Sequence, residues 1–209
     1  QAVVESKTIY MSCAEKLRQQ RQQIAPTLAA AIAQHLRDLS MPDTQTEYVF
    51  TPLAKPSSYG LDDMELLFSA NLGQAPQPLA KIASGGELSR FSLAVQVIQA
   101  QHSDVPVLVF DEVDVGISGG TAEIVGRLLA DLGSHVQILC ITHQAQVAAQ
   151  SDQHLLVKKR QTDPASSTIL NLEEDERINE LARMTGGVEI NDTTLQHAKQ
   201  LRQLKFQSA

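Results

Sequence analysis

The sequence predicts an α/β protein: a mostly parallel sheet flanked by helices, entered through a long helical segment. Three observations predict it. From residue 84 onward, helical and extended segments alternate: helix 87–101, strand 105–110, helix 121–133, strand 136–142. Both strands carry near-continuous apolar runs, Val107-Leu-Val-Phe110 and Ile138-Leu-Cys-Ile141, as strands of a parallel sheet covered on both faces do. Each run then ends in polar residues, Asp111-Glu112 and Thr142-His143. In open α/β sheets that C-terminal strand edge is where ligands bind.

The remaining elements follow in order. Residues 1–25 read as a helix in which Val3, Tyr10, Leu17 and Ile24 recur every seven positions. The companion positions Ser6, Cys13, Gln20 and Thr27 are small or polar, so the column fits either one seam of a coiled coil or a surface helix on a globular core. Pro26 is expected to restart or kink the helix. Ile24, Leu28, Ile32, Leu36 and Leu39 then form an apolar face that stops at Ser40-Met-Pro-Asp43. Residues 48–51 read as a strand, 52–60 as a loop with two prolines, 64–71 as a second strand and 73–78 as a loop. Beyond the alternating region, 144–150 reads as a short helix. Residues 154–159 and 168–172 read as a hairpin around Thr162-Asp-Pro-Ala165. A helix over 175–185 is stopped by Gly186-Gly187, and Asn191 caps a last helix to about 205.

Composition narrows the function classes. The chain has 209 residues, 43% of them hydrophobic and 20% charged, which is ordinary for a globular protein with a core of its own. No apolar run approaches the ~20 residues of a membrane span, and the N-terminus lacks the pattern of a secretory signal. Cys13 and Cys140 are lone thiols without metal or disulfide spacing, as in a reducing cytosol. The net charge of −7 argues against a broad nucleic-acid-binding surface. Lys158-Lys-Arg160 is the sole basic cluster and reads as a solvated strand end.

Ser84-Gly-Gly-Glu87 has the form of a helix N-cap followed three residues later by a capping glutamate. The two glycines give it a second possibility: without side chains, the first backbone N–H groups can approach a phosphate. Asp111, at the end of an apolar strand, suits Mg²⁺, and Glu112 suits polarisation of an attacking water. Asp114 can form a turn with Gly116. His143 ends the next apolar strand, where an imidazole can donate a hydrogen bond to a γ-phosphate oxygen. His35, His102, His135, His154 and His197 read as structural. A phosphate-cradling Gly-x-x-x-x-Gly-Lys-Ser/Thr loop is not found in these 209 residues, because no lysine follows a glycine.

In this order the motifs resemble an ABC-type ATPase head. Ser84-Gly-Gly-Glu87 resembles the signature, Asp111-Glu112 the Walker B pair, Asp114 the D-loop aspartate and His143 the switch histidine. Lys81-Ile-Ala-Ser-Gly-Gly-Glu-Leu-Ser-Arg90 and Phe110-Asp-Glu-Val-Asp-Val-Gly-Ile-Ser-Gly119 narrow the resemblance to RecN, the SMC-like DNA repair ATPases of bacteria. Ile141-Thr-His-Gln-Ala-Gln-Val147, Asp38-Leu-Ser-Met-Pro42 and Glu180-Leu-Ala-Arg-Met-Thr-Gly-Gly187 add to it, while Gly120 departs from the expected proline. The resemblance implies ATP and Mg²⁺ as cofactors. It also implies three partners: an N-terminal half of the same head carrying the Walker A loop, a second head in a homodimer, and DNA through the complete protein. Asp111, Glu112 and His143 would act in cis. Ser84, Gly85, Gly86 and Glu87 would act in trans, on nucleotide held by the second head, and Asp114 would be a further cofactor-binding residue. Residues 1–42 would be the base of a coiled-coil arm with its connecting helix, and 43–209 the C-terminal half of the head. The chain starts without Met in a helical pattern, so a fragment is expected. A transporter motor subunit and a non-catalytic docking module are the competing readings.

Overall fold

The computed structural model describes residues 2–82, 84–102, 105–111, 113–160, 166–186 and 190–207, in two compact units, 1–98 and 99–209. Glu112, Ala83, Gly187 and the 162–165 turn lie outside the described residues.

In the first unit, α1 (Ala2–Asp38) runs through Pro26 without restarting. Pro26 is exposed, so the helix loses one backbone hydrogen bond where water can serve the freed carbonyl. Around it the helix is anchored by buried Ala25, Ala29, Ile32, Ala33 and Leu36. The expected apolar face therefore begins later than the sequence suggests, since Ile24 is exposed. The helix ends in a Schellman motif. The Met41 N–H donates to the Leu36 carbonyl, the Ser40 N–H donates to the Arg37 carbonyl, and Ser40 takes the left-handed φ of 64°.

Strand β1 (Gln45–Ser57) is far longer than the expected 48–51 and pairs antiparallel with β2 (Gly60–Ser69). Its two prolines, read as loop markers, sit within an edge strand with a register irregularity between Pro52 and Ser57. An edge strand pairs on one side only, so a proline is tolerated where its missing N–H would face away from the ladder or at a bulge. A short β3 (Gln77–Pro78) adds to β2 and leads through a 3₁₀ turn (Leu79–Lys81) to α2 (Gly85–Gln101). Phe68 and Phe91 meet edge to face with centroids 5.4 Å apart, joining β2 to α2.

The hairpin tip of β1–β2 docks on α1. The Tyr10 hydroxyl donates to the Ser57 and Gly60 carbonyls, the Arg18 guanidinium grips Asp62 with two N–H groups, and Arg21 donates to the Tyr59 carbonyl. The heptad column is thereby divided. Tyr10 is engaged by the hairpin, while Val3 and Ile24 face solvent.

In the second unit, β4 (Val107–Asp111) and β5 (Gln137–Ile141) pair in parallel, with α3 (Gly120–Gly133) between them in sequence. Helix α4 (Ala145–Ala149) follows, then the antiparallel pair β6 (Leu155–Arg160) and β7 (Ser166–Asn171), then α5 (Glu174–Gly186) and α6 (Asp192–Gln207). Ala145, Ala148 and Ala149 of α4 form a core with Leu181 and Ala182 of α5 and Ala198 and Leu201 of α6. Asn191 caps α6 as expected, its side-chain oxygen accepting from the Thr194 N–H at 2.9 Å.

The expectation of a sheet covered on both faces is corrected. Phe110 is buried and Leu108, Ile138 and Cys140 are half-buried, but the alternate residues Val107, Val109, Leu139 and Ile141 are 38–64% exposed. The apolar runs are those of a strand pair made for burial on two faces, and among the described residues only one face is covered.

Candidate functional site

The parallel register sets Asp111 opposite Ile141, so the residues following β4 and β5 emerge at the same edge of the sheet. Asp111 is exposed there, an oxygen donor free to face a hard cation. Among the described residues no three His, Cys, Asp or Glu side chains cluster to hold a metal by themselves.

Asp114 lies in the turn after β4 but points inward, only 1% exposed. Its Oδ2 accepts from the Thr142 hydroxyl, from the His143 N–H at 3.0 Å and from the Gln144 N–H at 3.2 Å. The His143 ring places Nδ1 3.2 Å from the same oxygen while its side chain stays 68% exposed. Gln144 spans the far side: its Nε2 lies 3.1 Å from the Ile117 carbonyl oxygen and 3.1 Å from His143 Nε2. One buried carboxylate thus ties the turn after β4 to the loop after β5. Asp114 Oδ1 is buried without a hydrogen-bond partner among the described residues. Burial, helped by the charge of Asp114, pushes the Cys140 thiol on β5 up to about 11.

Helix α4, which starts directly after this loop, is held at its C-terminal end by buried arginines. Arg177 of α5 donates to the Ala148, Ser151 and Asp152 carbonyls, and Arg202 of α6 to those of Ala149 and Ser151. These cations serve the carbonyls that a helix end leaves unpaired. The close crossing of α3 over α4 requires Gly126. A Cβ there would lie 2.9 Å from Gln150 Cγ and 3.0 Å from the Gln146 oxygen.

The Ser84-Gly-Gly-Glu87 turn belongs to the other unit. Ser84 caps α2, its Oγ accepting from the Glu87 N–H at 3.4 Å, which is the N-cap half of the sequence reading. A Cβ added to Gly85 would meet nothing within 4 Å. Glycine at this position is not explained by packing among the described residues, and its N–H is among those an α-helix leaves without an intrahelical partner. Beside the turn lies a hollow of about 170 Å³ lined by Asn71, Gln74, Lys81 and Glu87 among others.

Sequence reasoning singled out Asp111, Asp114 and His143, and the structure gathers them at one strand edge. It missed the parts played by Thr142 and Gln144, whose only signal was that they flank His143. Arg177 and Arg202 carried no local signal, because they act on carbonyls 25–53 residues away.

Comparison with known proteins places this geometry. No family model matches the chain. The DNA repair protein RecN of Vibrio cholerae is 47% identical over 92% of the chain, and that of Haemophilus influenzae 45% over 91%. RecN of Deinococcus radiodurans is 41% identical over 87%. The chain spans about a third of the length of these relatives, 35%, 35% and 32%. Among solved structures, the Smc head domain of Pyrococcus yayanosii with coiled coil and joint superposes with a TM-score of 0.66 over 88% of the chain and 34% of that chain, at 20% identity. A structure described under ATP-driven dimerization and DNA-stimulated activation of SMC ATPases gives 0.57 over 88% of the chain and 99% of its own, at 18% identity. At such identities the likeness is one of fold, that of an SMC ATPase head, and it is the sequence relatives that place the chain in the RecN family of DNA repair proteins.

Proposed function

We propose that this chain is the C-terminal part of a RecN ATPase head, supplying the Walker B carboxylates, the signature turn and the switch histidine for ATP-dependent head dimerisation, and for the ATP hydrolysis that releases the heads, in DNA double-strand-break repair. The parallel β4–β5 pair carries the reading. It delivers Asp111 and His143 to one edge while leaving an apolar face bare, as expected of half a nucleotide-binding sheet. The rest of the head, bearing the phosphate-cradling Walker A loop, is the partner for that face.

Each residue then has a task. Asp111 holds Mg²⁺ with the phosphates. Glu112 polarises the attacking water, taking its proton as the phosphoryl bond breaks. His143 stands beside the γ-phosphate. Ser84, Gly85, Gly86 and Glu87 close on the nucleotide of a second head, the N–H groups at the start of α2 meeting phosphate oxygens. Bound ATP supplies the phosphoryl group and, through its charge, the contact between two heads. Residues 1–42 form the base of the arm, and DNA engages the complete protein in the cytoplasm, on the nucleoid. Among the described residues no helix is long and apolar enough to cross a membrane.

The test is steady-state Mg-ATP turnover of the chain alone, of the chain mixed with the remainder of the protein, and of the complete protein with Glu112→Gln. Turnover is expected only when the remainder is present. Glu112→Gln should lower kcat by about 100-fold or more and accumulate ATP-bound dimers. Unimpaired turnover by that variant sinks the assignment.

A further inference from the structure

The geometry points to Asp114 and Gln144 as positioning residues that fix His143 as a single tautomer, with the proton on Nδ1 and the lone pair of Nε2 turned outward. Two ends of the network point to this independently. At one end, the Ile117 carbonyl is an acceptor only, so the Gln144 atom 3.1 Å from it is the amide nitrogen. The same NH₂ lies 3.1 Å from His143 Nε2, which must therefore accept. At the other end, Nδ1 lies 3.2 Å from the Asp114 Oδ2 in ion-pair contact, and a carboxylate is an acceptor only, which favours a hydrogen rather than a lone pair on the nitrogen that faces it. A neutral imidazole has one N–H, and both ends place it on Nδ1.

The Asp114 side chain, 1% exposed, is held in turn by the Thr142 hydroxyl and by the backbone N–H groups of His143 and Gln144. The carboxylate cannot leave without breaking the loop that presents the histidine. Asp114 accordingly acts within its own head, through His143, rather than reaching toward nucleotide on a second one. The consequence is chemical. A neutral His143 offers Nε2 as an acceptor, so it can take a hydrogen bond from water but cannot donate one to a phosphate oxygen from that nitrogen. A contact to phosphate from Nε2 requires the imidazolium form, with Nδ1–H still on Asp114.

The first measurement is made on the 209-residue chain and is independent of the proposed ATPase activity. Long-range ¹H–¹⁵N spectra of ¹⁵N-histidine-labelled protein at pH above 8, with His143 assigned by loss of its signals in His143→Gln, should show a protonated-type Nδ1 and an unprotonated-type Nε2. Asp114→Ala should shift the ring toward the Nε2–H tautomer. Nε2–H in the unaltered chain overturns the inference without any variant, and so does an unchanged tautomer in a folded Asp114→Ala protein. A second measurement rests on the reading of the site as an ATPase. In the complete protein, Asp114→Ala should lower kcat by at least about 10-fold with little change in KM for ATP. Asp114→Asn, whose carbonyl can take the place of Oδ2, should retain most of the Nδ1–H tautomer. Loss of KM alone would show a binding role instead and overturn the positioning role. Failure of Glu112→Gln to impair turnover would sink the ATPase assignment and leave the tautomer result standing.

Discussion

His154 shows how a single buried ring makes stability depend on pH. It precedes β6, and its Nδ1 is buried without a hydrogen-bond partner among the described residues. Burial first, and then the positive charges of Arg177 and Arg202, lower its pKa from the ordinary 6.5, against the opposing pull of Glu180. The unfolded chain therefore binds a proton at higher pH than the folded one. The stabilisation from neutral His154 is complete above about 6.5 and is lost as the pH falls from there through the lower folded value. The nearby carboxylates Asp152 and Glu174, held below the usual range by hydrogen bonds from Lys205 and Arg202, give up their contribution at lower pH. Urea midpoints of His154→Gln measured from pH 8 to 5 should show a shallower decline between 6.5 and 5 than the unaltered chain. An identical slope would place the proton uptake elsewhere.

Among the elements, the α3–α4 crossing bears most directly on the site, since α4 begins two residues after His143. Gly126 lets the helices approach until its missing Cβ is replaced by atoms of Gln150, Gln146 and Val147, the last at 3.1 Å. Backbone atoms are among these neighbours, so the space cannot be cleared by a rotamer change alone. Gly126→Ala gains helix propensity worth about 1 kcal/mol, but the steric cost of about 1–3 kcal/mol outweighs it. Thermal or denaturant unfolding should show a net loss of about 1 kcal/mol, with the His143 ring resonances shifted. A stabilised protein with unmoved His143 signals would mean that α4 yields easily. The buried arginines of α5 and α6 oppose such yielding, because a displaced α4 would leave their guanidinium groups without the carbonyls they now serve.

At the scale of the whole molecule, the feature that demands a partner is the open face of β4–β5. Val109 and Ile141 are 64% and 58% exposed on a strand pair whose sequence is that of a buried sheet. The chain spans about a third of the length of its relatives, and the proposed reading assigns the covering surface to the rest of the head. Val109→Asp together with Ile141→Asp should change the stability of the isolated chain by no more than about 0.5 kcal/mol per site, as exposed positions usually do. The pair should nevertheless abolish association with the remainder of the head, measured by co-purification or analytical ultracentrifugation. Retained association would place the interface on another face.

What the sequence determined by itself is local. Apolar runs of four residues specify strands, Ser84 and Asn191 specify helix starts, and the acids and histidine at the ends of the strands specify the chemistry of the edge. Each signal lies within a few residues of the backbone it shapes, so it survives without knowledge of the fold. The family motifs were legible for the same reason. Tertiary structure decided everything that depends on distant neighbours. Pro26 stays inside a helix because α1 is anchored around it, and Pro52 stays inside a strand because β1 is an edge. The heptad column is divided because Tyr10 meets a hairpin tip 47–50 residues away. Asp114 reads in sequence as a turn former with Gly116. It turns inward because the parallel register brings Thr142, His143 and Gln144 to it from 28–30 residues away, and no pattern along the chain records which donors a buried oxygen will meet.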